Sequence, residues 1–325
     1  MRVLITGIDG FVGSHLVEAL VTDPDVRIYG TVVDDRHPNI SGELLSQLEL
    51  FKVDIRQPDK VRQVISTVKP SKIFHLAGQA FVPISLENPA ETFHVNINGT
   101  LNVLEAIREA STTDGLSCSV LVVSSGEVYG AVSDPFLPID ETVPLKPESP
   151  YAASKACADL IAQQYRSSFG IDVVVARPFN HLGPRQSELF VGSAFAKQIA
   201  EMEAGKREPK LMVGNLDPER DFTDVRDVVR AYMKILDRPR AHPVYNVCSG
   251  TTVTVKEVVR ILCEVSGVRV EIVPDTTRQR RNDIPKSVGS AARLRAETGW
   301  YPKIPLRQTL EDVLKYWENR VRTQG

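Results

Sequence analysis

The stretch ITGIDGFVGSHL, residues 5–16, places Gly7, Gly10 and Gly13 between a short apolar run and an amphipathic segment. Glycines let the backbone turn tightly and approach a pyrophosphate, whose charge is stabilised by the free N–H groups and dipole of a helix N-terminus. Helix packing alone can also select such glycines. The strand, turn and helix context favours the other interpretation, a dinucleotide-binding turn.

Beyond this turn, short Val/Ile/Leu runs alternate with amphipathic stretches through the first two-thirds of the chain. Strands that are apolar throughout, separated by helices of about 10 to 15 residues, are typical of a parallel sheet covered on both faces. The pattern predicts an α/β fold with a Rossmann-type doubly wound parallel sheet. It becomes patchier after about residue 180, which predicts a smaller C-terminal α/β lobe. We therefore expect an NAD(P)-binding domain over 1–180 and a mainly substrate-binding lobe over 181–325, interleaved with late strands of the sheet.

Composition limits the classes of partner. The 325 residues are 42% hydrophobic and 25% charged, with a net charge of -2 and no long basic block, which argues against nucleic acid as the main partner. The four cysteines form no CxxC pair, so we expect neither a metal site nor a disulfide framework. The N-terminal residues enter a strand pattern directly, and no apolar run has the length of a membrane span. These features predict a soluble cytoplasmic protein without a membrane partner.

Acidic and small residues follow the next strands, where the remainder of a dinucleotide would lie. In GTVVDDR, Asp34 would bind the adenosine ribose of NAD, but Arg36 follows closely and would accept the 2′-phosphate of NADP. The choice between NAD and NADP stays open at this point. Asp54 in KVDIRQ is a candidate for the adenine amino group, and Ala77 and Gly78 in FHLAGQA are expected near the pyrophosphate and nicotinamide ribose.

A tyrosine and a lysine open the predicted helix in SPYAASKACADL. Tyr151 and Lys155 are four positions apart, so both side chains lie on one helical face. The ammonium group can lower the pKa of the phenol and bind the nicotinamide ribose, which would give a proton donor usable near neutral pH. Such a pair also occurs as an ordinary structural contact in many helices, so its significance depends on the rest of the chain.

Motifs from most of the chain support the catalytic interpretation. The glycine turn, VDI, HLAGQA, VNINGTLNVLEA, VVSSGEVYG, SPYAASKA, ARPFNHLGP and RDFTDVRDVV together resemble the extended short-chain dehydrogenases/reductases that modify nucleotide sugars. The resemblance implies that NAD or NADP carries the hydride, that Ser125 orients a sugar hydroxyl or ketone, that Tyr151 is the acid/base and that Lys155 tunes it. It implies further that Asn96 supports the lysine. The other cofactor contacts that we expect are Phe11, Val12, Ile55, Leu76, Ser124 and Pro178.

Cationic residues in the second half are candidates for the substrate diphosphate. Arg185, Lys197, Arg220 and Arg281 are scattered among glycines and amides, and arginine suits a diphosphate because it can donate two parallel hydrogen bonds. Any one of these residues is more often ordinary surface charge. Asn180, which follows a strand end, is a candidate substrate contact or a turn cap.

Within the nucleotide-sugar group, the second half resembles GDP-mannose 4,6-dehydratases and the reductases that convert GDP-4-keto-6-deoxy-D-mannose to GDP-D-rhamnose. The likeness to the reductases is nearer in GNLDPERDFTDVRDVVRAY. Dehydratases usually carry an arginine pair after the second strand and a threonine in place of Ser125. Glu127 fits the dehydratase base but can equally bond the backbone of its turn. We expect a 4-keto reductase, with the dehydratase as the alternative.

A third possibility, of another class, is a non-catalytic NAD(P)-binding sensor or scaffold. The intact Ser125, Tyr151 and Lys155 set argues against it, because such a protein has no chemical need for all three. The resemblance also implies a homodimer, or a dimer of dimers, built from the helices in NGTLNVLEAIREA and YAASKACADLIAQQYRSSF. Both helices carry apolar residues on more than one side, which fits burial against a partner.

Overall fold

The computed structural model describes residues 1–237, 241–275 and 284–323. The strands are β1 (Arg2–Thr6), β2 (Arg27–Val32), β3 (Leu48–Lys52), β4 (Lys72–His75), β5 (Ser119–Val123), β6 (Asp172–Pro178), β7 (Asn180–Leu182), β8 (Lys210–Val213), β9 (Glu219–Arg220), β10 (Phe222–Asp224), β11 (Val244–Val247), β12 (Val253–Thr254), β13 (Glu271–Pro274) and β14 (Lys286–Ser287). The helices are α1 (Phe11–Leu20), α2 (Gly42–Leu45), α3 (Pro58–Val68), α4 (Val82–Glu87), α5 (Pro89–Phe93), α6 (Gly99–Asp114), α7 (Pro150–Phe169), α8 (Val191–Glu203), α9 (Val225–Leu236), α10 (Val255–Ser266), α11 (Ala292–Thr298) and α12 (Leu306–Thr323).

Parallel strands form the central sheet. Among the described residues it has seven strands in the order β11-β6-β5-β4-β1-β2-β3. Every adjacent pair is parallel, and the strand order reverses between β1 and β4, so the sheet is doubly wound as the sequence predicted. The crevice at such a reversal, outside the carboxyl ends of the strands, is where open α/β sheets bind ligands.

Apolar helix faces cover both sides of the sheet because their spacing matches the helical period. In α3, Val61, Val64, Ile65 and Val68 are buried, and they belong to a hydrophobic core that also contains residues of α6 and α7. Burying one such side chain contributes roughly 1.5–3 kcal/mol. The other face of the sheet is covered by a second core, which includes residues of α1, α9 and α11.

The second half of the chain builds a smaller lobe and also completes the sheet. Its own core includes residues of α8, α10, α12 and β8. The lobe contains the parallel pairs β8/β13 and β7/β10 and a three-stranded sheet in the order β12-β9-β14. However, β11 pairs with β6 at the edge of the central sheet. Residues after 180 therefore contribute both to the smaller lobe and to the central sheet.

None of the described helices combines the length and the apolar character needed to cross a membrane.

Candidate active site

The ends of β1 and β4 meet at the strand-order reversal. The Thr6 hydroxyl lies 2.8 Å from His75 Nδ1 and accepts hydrogen bonds from the backbone N–H groups of Leu76 and Ala77. His75 Nε2 lies 3.0 Å from the Thr100 hydroxyl on α6. Burial lowers the pKa of His75 to about 3, so its ring is neutral and acts as a hydrogen-bonding brace. These contacts join the ends of β1 and β4 to each other and to Thr100.

The glycine turn after β1 has the shape of a pyrophosphate cradle. Gly7 has φ of 68°, which is costly for other residues, and a Cβ atom there would lie 3.0 Å from Ala77 Cα. A Cβ atom on Gly13 would lie 2.5 Å from the carbonyl oxygens of Gly7 and Ile8. Gly10 is the N-cap of α1, and the first turn of that helix carries no acidic residue. The residues therefore fit the phosphates of a dinucleotide.

The predicted ribose and adenine contacts are engaged with neighbouring arginines. Asp34 accepts hydrogen bonds from the Arg36 backbone N–H at 2.8 Å and from its guanidinium at 3.2 Å, and these bonds lower the pKa of the carboxyl. Asp54 accepts from Arg56 Nε at 2.9 Å, and that contact likewise lowers its pKa. The Asp54 carboxylate is thus already ion-paired with Arg56, a contact that the sequence did not reveal. Ile55 is buried beside Gly99.

A π-helical turn, His94–Asn98, carries Asn96 toward the loop after β4. Asn96 Nδ2 donates to the Gln79 carbonyl and to the Ser154 hydroxyl, both at 2.9 Å, and its Oδ1 accepts from Gln79 N at 2.8 Å. A Cβ atom on Gly78 would lie 2.9 Å from Asn96 Oδ1 and 3.6 Å from Lys155 Nζ. Asn96 therefore joins the loop after β4 to Ser154, the residue before Lys155, and its support of the lysine stays a prediction.

Ser125, Tyr151 and Lys155 converge beyond β5 and at the start of α7. The Ser125 side chain lies close enough to Tyr151 to lower the pKa of its phenol, and Tyr151 is 9% exposed. Burial raises the pKa of Tyr151 to about 12, against a smaller lowering by Ser125, and the charge of Glu127 raises it further. Lys155 Nζ donates to the Val123 carbonyl at 2.7 Å, and burial lowers its pKa to about 8. Burial is the largest influence on the pKa of Tyr151, and the tuning of that pKa by Lys155 stays a prediction.

The turn Gly126–Tyr129 follows Ser125 and holds Glu127 beside Tyr151. Ser125 Oγ is the cap of this turn and accepts from the backbone N–H of Glu127 at 3.2 Å. The capping function that the sequence left open for Glu127 is thus performed by Ser125. Ser124 is buried and donates to the Lys155 carbonyl at 3.4 Å, while Pro178 ends the neighbouring strand β6.

Arg185, a predicted diphosphate ligand, is bonded to side chains of α1. Its guanidinium forms an ion pair with Glu18 on α1, with one N–O distance of 2.7 Å, and lies 2.6 Å from His15 Nδ1. His15 Nε2 lies 2.9 Å from the Pro184 carbonyl oxygen. The Arg185 bond lowers the pKa of Glu18 to about 2. We call this cluster of His15, Glu18 and Arg185 the Arg185 strap; the role of Arg185 as a diphosphate ligand stays a prediction.

The remaining substrate candidates are spread over the smaller lobe. Lys197 Nζ lies 3.2 Å from Glu188 and 5.5 Å from the ring centroid of Trp317. Arg220 donates to the Glu219 and Ile284 carbonyls at 3.0 and 2.6 Å. Asn180 begins β7, directly after β6, and is partly exposed. Arg281 lies outside the described residues.

Sequence reasoning missed several side chains that shape the site. Thr6 and His75 are the last residues of β1 and β4, and polar residues at strand ends beside the strand-order reversal were the available signal. Asp159 lies on α7 eight positions after Tyr151, so a charged residue in line with the catalytic pair was visible in the sequence. Gln79 had no signal of its own, because its contact with Asn96 depends on the π-helical turn.

Comparison with known proteins agrees with this geometry. Residues 4–313 match the family model described as GDP-mannose 4,6 dehydratase. The chain belongs to the GDP-mannose 4,6-dehydratase family. The predicted recognition as an extended short-chain dehydrogenase/reductase of the nucleotide-sugar group is therefore confirmed, and with it the class of NAD(P)-dependent nucleotide-sugar enzyme.

The relatives of this chain include proteins named for each of the two predicted activities. It is 38% identical to GDP-6-deoxy-D-mannose reductase of Pseudomonas aeruginosa, over 99% of each chain. It is 31% identical to GDP-mannose 4,6-dehydratase of Yersinia enterocolitica, over 83% of this chain and 73% of that one. A solved Pseudomonas aeruginosa structure, RMD complexed with NADPH, superposes with a TM-score of 0.84 at 38% identity, covering 98% of this chain and 99% of that one.

Proposed function

We propose that this chain reduces the 4-keto group of GDP-4-keto-6-deoxy-D-mannose to give GDP-D-rhamnose, using NADPH or NADH. The observation that carries the proposal is the position of Tyr151, whose protonated phenol is buried at the start of α7 beside Ser125, at the carboxyl end of the central sheet. Ketone reduction consumes a proton, so the protonated phenol is the form that the reaction needs. Full-length similarity to a GDP-6-deoxy-D-mannose reductase supports the choice of substrate.

The side chains present have distinct roles in such a reduction. The cofactor supplies the hydride. The Tyr151 hydroxyl donates a proton to the oxygen at C4, and Ser125, which lies beside Tyr151, orients that oxygen. Lys155 holds positive charge near Gly78 and so stabilises the phenolate left after proton donation. In this proposal the glycine turn and the free N-terminus of α1 bind the pyrophosphate.

Glu127 is the reason for retaining GDP-mannose 4,6-dehydratase as the second candidate. Its side chain lies close enough to Tyr151 to raise the pKa of the phenol, while Ser125 caps the turn. A dehydratase needs such an additional carboxylate to remove a proton from the sugar. The same charge opposes phenolate formation, however, and a dehydratase needs Tyr151 as a base in the oxidation of C4.

A substrate panel tests the proposal. Purified protein is given GDP-4-keto-6-deoxy-D-mannose or GDP-mannose, each with NADPH or NADH, and oxidation of the cofactor is followed at 340 nm with product analysis. We expect cofactor oxidation and a 6-deoxyhexose product only with the keto sugar. Formation of GDP-4-keto-6-deoxy-D-mannose from GDP-mannose would replace this proposal by the dehydratase.

Replacing Tyr151 by phenylalanine removes only the proton donor. We expect Tyr151→Phe to reduce kcat by at least about 10²-fold, because proton transfer by a positioned group contributes 10²–10⁴-fold. Binding of the nucleotide sugar, measured by calorimetry, should change little. Retention of the wild-type kcat would remove Tyr151 from the mechanism.

The cofactor preference depends on Arg36 and Asp34. Arg36 has 88% of its side chain exposed, and we propose that it turns from Asp34 to the 2′-phosphate of NADPH. Arg36→Ala should therefore raise the KM for NADPH about tenfold and leave the KM for NADH unchanged. Equal changes in the KM values for NADPH and NADH would show that Arg36 does not contact the 2′-phosphate.

The same proposal includes a cytoplasmic location and a dinucleotide-binding domain drawn mainly from residues 1–180.

We also propose a homodimer through α6 and α7. Leu160 and Phe169 on α7 are 57% and 49% exposed, which fits a face covered by a second copy. Light scattering should give twice the chain mass of 36.0 kDa, and Leu160→Glu should shift it to the monomer.

A further inference from the structure

A buried ion pair anchors the catalytic helix to the central sheet. Arg177 on β6 donates to Asp159 on α7 through Nε at 2.7 Å and Nη2 at 3.2 Å. The two side chains are 4% and 0% exposed. Asp159 lies eight positions after Tyr151 and four after Lys155, so the pair holds the catalytic face of α7 against β6.

The same guanidinium continues to the turn on the other side of the site. Arg177 Nη1 donates to the Tyr129 hydroxyl at 2.9 Å, and that hydroxyl donates to Asn246 Oδ1 on β11 at 2.7 Å. Asn246 Nδ2 in turn donates to the Ile139 carbonyl at 3.0 Å. We call Asp159, Arg177, Tyr129 and Asn246 the buried network.

Tyr129 is the last residue of the turn that carries Glu127 and is capped by Ser125. Its ring is 1% exposed and stacks on Phe179 with a centroid separation of 6.3 Å, and Phe179 also fills the space beside Gly126. The turn is therefore packed against Phe179 and bonded to Arg177 and Asn246. One end of the buried network thus lies in the turn that carries Glu127 and follows Ser125, and the other end lies on α7, the helix that carries Tyr151 and Lys155.

Stability alone is a weak account of such an arrangement. Replacing a buried ion pair by well-packed apolar residues is often neutral or stabilising, whereas a fully bonded polar network specifies one geometry. Misplacement of a reacting group by about 1 Å can cost about 10²-fold in rate. We propose that Tyr129 and the Asp159–Arg177 pair are positioning residues that set the separation of Ser125 from Tyr151. This inference rests on the proposed function of Tyr151.

The test compares two buried tyrosines that each lose one hydroxyl. Tyr129→Phe breaks the buried network. Tyr245 precedes Asn246 on β11, and Tyr245→Phe removes a hydroxyl that is bonded to Glu297 on α11. We expect Tyr129→Phe to lower kcat at least tenfold, with the Kd of NADPH and the KM of the nucleotide sugar within twofold of wild type. Tyr245→Phe should retain the wild-type kcat with a comparable fall in Tm.

Hydrogen exchange provides a readout that does not need turnover. In Tyr129→Phe, amides of Gly126–Tyr129 and the first turn of α7 should exchange at least tenfold faster, and in Tyr245→Phe they should match wild type. If wild type reduces no substrate but the exchange result holds, the proposed function fails and the positioning stands. Wild-type kcat in Tyr129→Phe, or equal losses of kcat in both variants, would overturn the positioning.

Discussion

At the residue scale, the buried charge of Lys155 lowers the free energy of unfolding. Burial lowers its pKa from 10.5 to about 8, so the folded chain holds the charge less favourably than the unfolded chain does. This difference is at most about 3 kcal/mol. The unfolded state binds more protons between the two pKa values, so this residue lowers stability below pH 8, and that loss is recovered as the pH rises toward 10.5.

Lys155→Met should therefore stabilise an inactive protein. Allowing about 1 kcal/mol for the lost hydrogen bond to Val123, we expect a net gain of about 2 kcal/mol in the free energy of unfolding at pH 7. The gain should shrink as the pH approaches 10. Denaturant unfolding at both pH values measures it, with exposed Lys210→Met as the control that changes little. A loss of stability in Lys155→Met at pH 7 would contradict the sign.

Individual residues differed in how well the sequence predicted them. Tyr151 and Lys155 were predictable because i,i+4 spacing fixes their common face whatever the rest of the chain does. Arg185 was not, since its partners His15 and Glu18 are contributed by a helix near the opposite end of the sequence. Charge alone does not tell a ligand-binding arginine from one that is already paired.

At the scale of the element, α1 depends on the absence of one side chain. The close approach of Gly13 to the Gly7 and Ile8 carbonyls sets where the helix begins relative to β1. The sequence pattern predicted this element correctly, because strand, turn and helix are all local. It did not predict the π-helical turn at His94–Asn98, whose extra residue is justified only by the contacts of Asn96.

Gly13→Ala should displace α1 and weaken cofactor binding. A methyl group 2.5 Å from two carbonyl oxygens cannot be accommodated without backbone movement, so we expect the Kd of NADPH to rise at least tenfold. Gly42→Ala is the matched control, because a Cβ atom at Gly42 meets nothing within 4 Å. Tryptophan-to-NADPH energy transfer measures both, and equal affinities in the two variants would refute the steric argument.

At the scale of the whole molecule, the sheet is finished late in the chain. β11 pairs with β6, and Val228, Tyr232 and Trp300 belong to the core on one face of the sheet. The sequence predicted that the second half is interleaved with late strands of the sheet, but local periodicity does not state which strand a segment pairs with. That choice depends on contacts between distant residues.

A chain ending at residue 180 should consequently fail to fold cooperatively. It would lack β11 and expose the apolar surface that α9 and α11 cover. We expect a broad thermal transition and strong binding of a hydrophobic dye, in contrast to the full chain. A sharp two-state transition of residues 1–180 would show that the dinucleotide-binding body is an independent folding unit.

The Arg185 strap has an evolutionary consequence. Its two charged members come from α1 and from the loop after β7, so loss of either Arg185 or Glu18 leaves the other charge without this partner. Natural variants of this chain should therefore change positions 18 and 185 together, and a lineage that loses Arg185 should also lose the carboxylate of Glu18.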